Sequence, residues 1–96
     1  MSPKNKKKLE KIRKKLDSLD NEFLRLIKIR TDLVNKVVKL KEFKSEIVDA
    51  KRIKKILFNI KKKSIQKKID SSITYKIWKN MISAYINYQR KNFKKK

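Results

Sequence analysis

The chain contains no glycine, no cysteine and no histidine, and its one proline is Pro3. Without glycine there is no residue at ease with positive φ or with close backbone approach. Tight β-hairpins, dinucleotide fingerprints and phosphate-cradling loops are therefore excluded. Without cysteine or histidine there is no disulfide framework, no zinc site of the usual kind, no thiol nucleophile and no serine triad. Apolar runs stay far below the length of a membrane span, and the basic N-terminus leads into no hydrophobic signal core. A cytoplasmic setting without membrane association is the expectation. At 96 residues and 11.6 kDa the chain has room for one domain, residues 1–96, with residues 1–5 and 94–96 expected to fray.

What is abundant is positive charge. Thirty-one basic residues against nine acidic give a net charge of +22. Such a sum invites a nucleic-acid reading, because clustered cations release counterions from a phosphate backbone. Here the cations are spread along the whole chain and 26 of the 31 are lysine, a solvated point charge rather than a bidentate reader of anions. A solvated surface is the expectation, with no specific nucleic-acid partner. A basic helical module that binds nucleic acid or an acidic protein is the alternative from another functional class.

The apolar pattern is helical. Leu9, Ile12, Leu16, Leu19, Phe23, Leu26, Leu33, Val37 and Leu40 follow alternating gaps of three and four, broken only at position 30. Ile27 and Val34 widen the stripe, and the same row continues onto Arg13, Asp20 and Lys41. One helix over Leu9–Lys41 follows, about 50 Å long. Residues 42–48 lose the period and read as a loop. Asp49 is a good N-cap for a second helix, from Ala50 to about Lys62, with Ile53, Ile56, Leu57 and Ile60 on one face. Residues 64–69 read as a connector. Asp70, Ser71 and Ser72 offer caps for a third helix to about Phe93, whose apolar face carries Ile73, Ile77, Trp78, Met81, Ile82, Tyr85 and Ile86. The fold class is all-α, one long helix and two shorter ones. A helix of about 50 Å exceeds a compact monomer with a radius of gyration of about 12 to 13 Å. Its stripe calls for a second long surface, most simply that of an antiparallel, intertwined homodimer.

Arg30 sits in the seam. The residues three and four positions away are Leu26, Ile27, Leu33 and Val34, so no carboxylate on its own helix is placed to pair with it. A buried guanidinium without a counter-charge costs several kcal/mol and cannot escape by deprotonation. Either a carboxylate from elsewhere, such as Asp20 or Asp32 of a second chain, or a bound anion must meet it. Lys41 lies on the same side about 16 Å further along, within converging reach of one small molecule. Arg13 lies about 25 Å the other way, and in an antiparallel dimer it folds back over the Arg30–Lys41 region of the other chain. Together these cations suggest a pocket for a small dicarboxylate built across subunits.

Five segments carry a family resemblance: Ile12–Asp20 (IRKKLDSLD), Ile29–Val34 (IRTDLV), the pair Leu40–Lys41, Asp49–Ile53 (DAKRI), and Met81–Gln89. In order and spacing they resemble the all-helical AroQ-class chorismate mutases and the related isochorismate-pyruvate lyases, from Leu9 to about Gln89. The resemblance implies an intertwined dimer of three-helix chains with two pockets. It also implies that Arg30 and the partner subunit's Arg13 hold the substrate's carboxylates. Lys41 and Gln89 donate to the ether oxygen that leaves carbon, and Arg52 sits near Lys41. The mutase reaction is a [3,3] rearrangement with no proton transfer, so it needs neither cofactor nor metal, and a chain lacking histidine and cysteine can perform it.

Two positions depart from the mutase pattern. Mutases usually carry a glutamate after the arginine of the second helix, where this chain has Ile53. They often carry a small polar residue four before the glutamine, where it has Tyr85. Ile53 and the Tyr85–Ile86 pair resemble the lyase branch, whereas Asp49 suits the mutases. The expectation is a mutase serving phenylalanine and tyrosine synthesis, with the lyase as the alternative.

Overall fold

In the computed structural model, which describes residues 1–94, the order of elements is α1 (Pro3–Leu40), a single 3-10 turn (Lys44–Glu46), α2 (Ala50–Gln66) and α3 (Ser71–Asn92). The described residues form no strand, and the all-α class with one long and two shorter helices is as the periodicity predicts. Lys94 lies beyond α3, and the rest of the expected C-terminal tail, Lys95 and Lys96, lies outside the described residues.

The helix boundaries need correction. The first helix begins at Pro3 rather than near Leu9. Ser2 caps it: its hydroxyl accepts from the Asn5 N–H at 3.2 Å and its carbonyl from the Lys6 N–H at 2.8 Å. Pro3 takes the first helical position, where its fixed φ suits the helix and its missing N–H is no loss. At the other end Leu40 is the last helical residue, leaving Lys41 at the head of the loop, its N–H bonded to Val38 O at 3.1 Å. The second helix continues past Lys62 to Gln66. Within this extension the buried Ser64 hydroxyl is satisfied, its Oγ donating back to Ile60 O at 2.6 Å. The Ser64 and Thr74 hydroxyls share a 2.7 Å hydrogen bond, a polar stitch between α2 and α3.

The chain divides into two compact units, Met1–Leu33 and Val34–Lys96. The first is helix alone. Its polar faces carry the ion pairs Arg25–Glu22 and Lys28–Asp32, each one helical turn apart. Its seam residues Ile12, Leu16, Leu19, Phe23, Leu26 and Leu33 are each between 50% and 59% exposed.

The second unit holds the end of α1, the loop, α2 and α3. α2 packs on α3, with Ile53, Ile56, Leu57, Ile60, Trp78, Met81, Ile82, Tyr85 and Ile86 half-buried. Ile73 and Ile77, expected on the apolar face of α3, stay exposed. The most deeply buried apolar residue among those described comes from the segment that reads as loop: Ile47, 4% exposed, in the connection between α1 and α2. Asp49 caps α2 by accepting the Arg52 N–H at 3.0 Å. Asp70 caps α3, accepting from both the N–H and the hydroxyl of Ser72 at 2.9 and 2.8 Å. These bonds hold its carboxyl below the usual aspartate range, the side-chain bond contributing most.

Between α2 and α3 the chain turns without glycine. The Ile69 N–H reaches Ser64 O at 2.9 Å and the Lys68 N–H reaches Ile65 O at 3.1 Å, the pair of bonds that ends a helix on a left-handed residue. That residue is Lys68, with φ 59°. A side chain with a Cβ costs roughly 1 to 2 kcal/mol in this region, and glycine gives part of that back through greater freedom of the unfolded chain. Lys68→Gly is expected to stabilise the fold by about 0.5 to 1 kcal/mol, read as a higher thermal midpoint. A lower midpoint would show that the turn is not under strain.

Candidate active site

The last two turns of α1 bury a different face from the seam. Val37, a seam residue, is 48% exposed, whereas Val38 beside it is 7% exposed. Successive residues on a helix are about 100° apart, so the buried row in this unit is Val34, Asn35, Val38 and, just past the helix, Lys41. Asn35 and Lys41 lie three residues to either side of Val38, and both are half-buried. Polar groups placed there must find partners.

They find them on α3. Gln89 is buried, 9% exposed, and its Oε1 accepts from Lys41 Nζ at 2.9 Å across 48 residues of sequence. The neighbouring Tyr88 donates its hydroxyl to Asn35 Oδ1 at 3.0 Å. One turn earlier Tyr85 meets the Tyr88 ring edge to face, with centroids 6.4 Å apart and planes at 88°. An ammonium has no lone pair, so the Lys41 bond takes the oxygen end of the Gln89 amide and leaves the NH2 end unspent on it. The pair can present N–H donors to a third group, from the Lys41 ammonium and the Gln89 NH2. Such a pair stabilises negative charge growing on an oxygen, and it does so without transferring a proton.

Of the site residues expected from the sequence, the structure therefore brings Lys41 and Gln89 into direct contact. Asp49 and Arg52 meet through the helix cap, and both are exposed. Ile53, the following residue on α2, is half-buried, as are Tyr85 and Ile86 on α3. Arg13 and Arg30 belong to the other unit. Arg13 is exposed, while Arg30 is half-buried and makes an interaction of its own. Asp32, one candidate partner for a seam arginine, is held by Lys28 of its own helix at 3.0 Å. Sequence reading missed Asn35 and Tyr88. The available signal was the adjacency of Tyr88 to Gln89 and the common row of Asn35 and Lys41, which shows only once Val38 rather than Val37 is known to be buried. A cleft of about 230 Å³ lined by Asn35, Val38, Lys39, Asn92, Phe93 and Lys94 opens on this part of the unit. A larger one, about 390 Å³, lies between Leu57, Phe58, Lys61 and Tyr75 and holds none of the expected residues.

Comparison with known proteins shows the family. The family described as chorismate mutase type II matches residues 12–90, a span reaching from Ile12 to just past Gln89. A chorismate mutase of Methanocaldococcus jannaschii is 37% identical over 76 residues, which is 78% of this chain and 77% of that protein. No solved structure gives a significant match.

The Lys41–Gln89 contact is measurable without any ligand. A double-mutant cycle of Lys41→Met and Gln89→Leu, read by thermal or denaturant unfolding, is expected to give a coupling of about 0.5 to 1.5 kcal/mol. Additive effects would mean that the two side chains do not meet in solution.

Proposed function

The chain belongs to the chorismate mutase type II family, and on that premise we propose that it rearranges chorismate to prephenate at a site centred on Lys41 and Gln89. Prephenate feeds phenylalanine and tyrosine synthesis, an activity placed in the cytoplasm. No helix among the described residues is long and apolar enough to cross a membrane. The rearrangement breaks an ether C–O bond and forms a C–C bond within one molecule, so no nucleophile, proton donor or cofactor takes part. Catalysis then consists of holding a compact reactive conformer and aiming donors at the ether oxygen as it gains charge. The observation that carries this reading is the 2.9 Å bond from Lys41 Nζ to Gln89 Oε1. It supports an ammonium and an amide NH2 converging on one oxygen. Arg30 and the partner subunit's Arg13 hold the two carboxylates of the substrate. Arg52, Asp49 and Ile53 line the α2 side, and Tyr85 and Ile86 the α3 side.

The working unit in this proposal is a homodimer. Its support is the division of labour along α1: the row through Val38 is buried within its own chain, and the apolar seam residues from Ile12 to Leu33 stay exposed. A continuous apolar stripe of that size on a chain of net charge +22 marks an interface rather than a surface in contact with water. A second copy offers a stripe of equal length.

Ile53 and the Tyr85–Ile86 pair favour a second reading, isochorismate-pyruvate lyase, because both resemble the lyase branch rather than the mutases. Parallel assays separate the two. Prephenate from chorismate at a kcat of about 1 s⁻¹ or more is expected, with Lys41→Ala lowering kcat by about 10² and KM changing less. Salicylate and pyruvate from isochorismate, with no prephenate from chorismate, would replace the mutase by the lyase.

A further inference from the structure

We infer that Asn35 and Tyr88 are positioning residues that set the Lys41–Gln89 donor pair, an inference that rests on the functional reading above. The end of α1 and α3 are joined by bonds from two successive residues of α3: Tyr88 to Asn35 at 3.0 Å and Gln89 to Lys41 at 2.9 Å. Successive helical side chains diverge by about 100°, so the two bonds straddle α3 and meet α1 on either side of buried Val38. They differ in stiffness. Gln89 and Lys41 are long, freely rotating side chains, and Lys41 stands past the last helical residue of α1. Tyr88 is a rigid ring, already held edge to face by Tyr85, and Asn35 is a short side chain well inside the helix. The rigid bond therefore fixes how far α3 is rotated and advanced against α1, and the flexible pair inherits that register.

The consequence falls on catalysis more than on folding. With the hydroxyl of Tyr88 removed, α3 keeps its packing on α2, including the Ser64–Thr74 bond, which lies more than three turns away along α3. What loosens is the placement of the Gln89 amide relative to the Lys41 ammonium, and donors displaced by a fraction of an ångström lose much of their effect on a transition state. Neither Asn35 nor Tyr88 needs to touch the substrate for this to hold.

The test compares four variants of the full chain: Tyr88→Phe, Asn35→Leu, Asn35→Asp and the double Tyr88→Phe/Asn35→Leu. Two readouts are used, steady-state kinetics on chorismate and the side-chain amide NMR signals of Gln89. Tyr88→Phe and Asn35→Leu are each expected to lower kcat about tenfold with KM within about twofold. The double is expected to be no worse than either single, and Asn35→Asp, which keeps the accepting oxygen, to retain kcat within about twofold of the parent. The Gln89 amide signals are expected to move in Tyr88→Phe toward their positions in Lys41→Ala. Amide signals that stay at the parent positions in Tyr88→Phe overturn the inference whatever the activity. So does a kcat for Tyr88→Phe or Asn35→Leu within twofold of an active parent's. A parent inactive on chorismate, with amide signals that respond as described, overturns the assigned reaction and leaves the brace standing.

Discussion

The proposed chemistry depends on one contact, the bond from the ammonium of Lys41, just past the first helix, to the Gln89 amide oxygen on the last. It buries a polar group that an apolar face would otherwise reject, and it orients that group. The ammonium takes the oxygen end of the amide, which leaves both N–H groups of the Gln89 NH2 free of that bond. A chain with no histidine and no cysteine lacks the imidazole and the thiolate. A reaction that needs only shape and donated hydrogen bonds lies within its reach. The paucity of chemical types and the geometry of this one contact therefore point the same way.

The same bond explains why α1 is built as it is. Its seam and its Val38 row lie about 100° apart, and the chain uses them for different purposes. The Val38 row stops after two turns, delivering Asn35 and Lys41 to α3. The apolar seam residues from Ile12 to Leu33 remain exposed in the single chain. Arg30 stands at the boundary between these regimes, half-buried and engaged, in the last turn of the N-terminal unit. A helix that were merely a scaffold would need only one of these faces.

Much of this could be read from the amino acids. Alternating spacings of three and four from Leu9 to Leu40 announce the long helix, and Asp49 and Asp70 mark the starts of α2 and α3 as caps should. Three features escaped for physical reasons. Ser2 and Pro3 together cap and start a helix, but in a lysine-rich stretch without apolar period the capping signal stands alone. Ser64 is tolerated within α2 because its hydroxyl bonds its own helix backbone, which composition alone does not reveal. Ile47 is the best-buried apolar side chain among those described although its neighbours have no periodicity, because burial in a connection depends on tertiary packing and not on repeat. At the site, Lys41 and Gln89 were legible through resemblance to a family. Asn35 and Tyr88 were not, since choosing between Val37 and Val38 as the buried residue requires the helices to be packed first.

The most direct test of the donor role is the pH profile of Gln89→Glu. A carboxylate at position 89 accepts hydrogen bonds and regains a donor only when protonated, and the neighbouring Lys41 ammonium favours its ionised form. The account predicts a kcat far below the parent's near neutrality that rises toward it as the pH falls below about 5, while the parent's kcat stays level over the same range. A Gln89→Glu enzyme that matches the parent at neutral pH, with no acid-dependent rise, would contradict it.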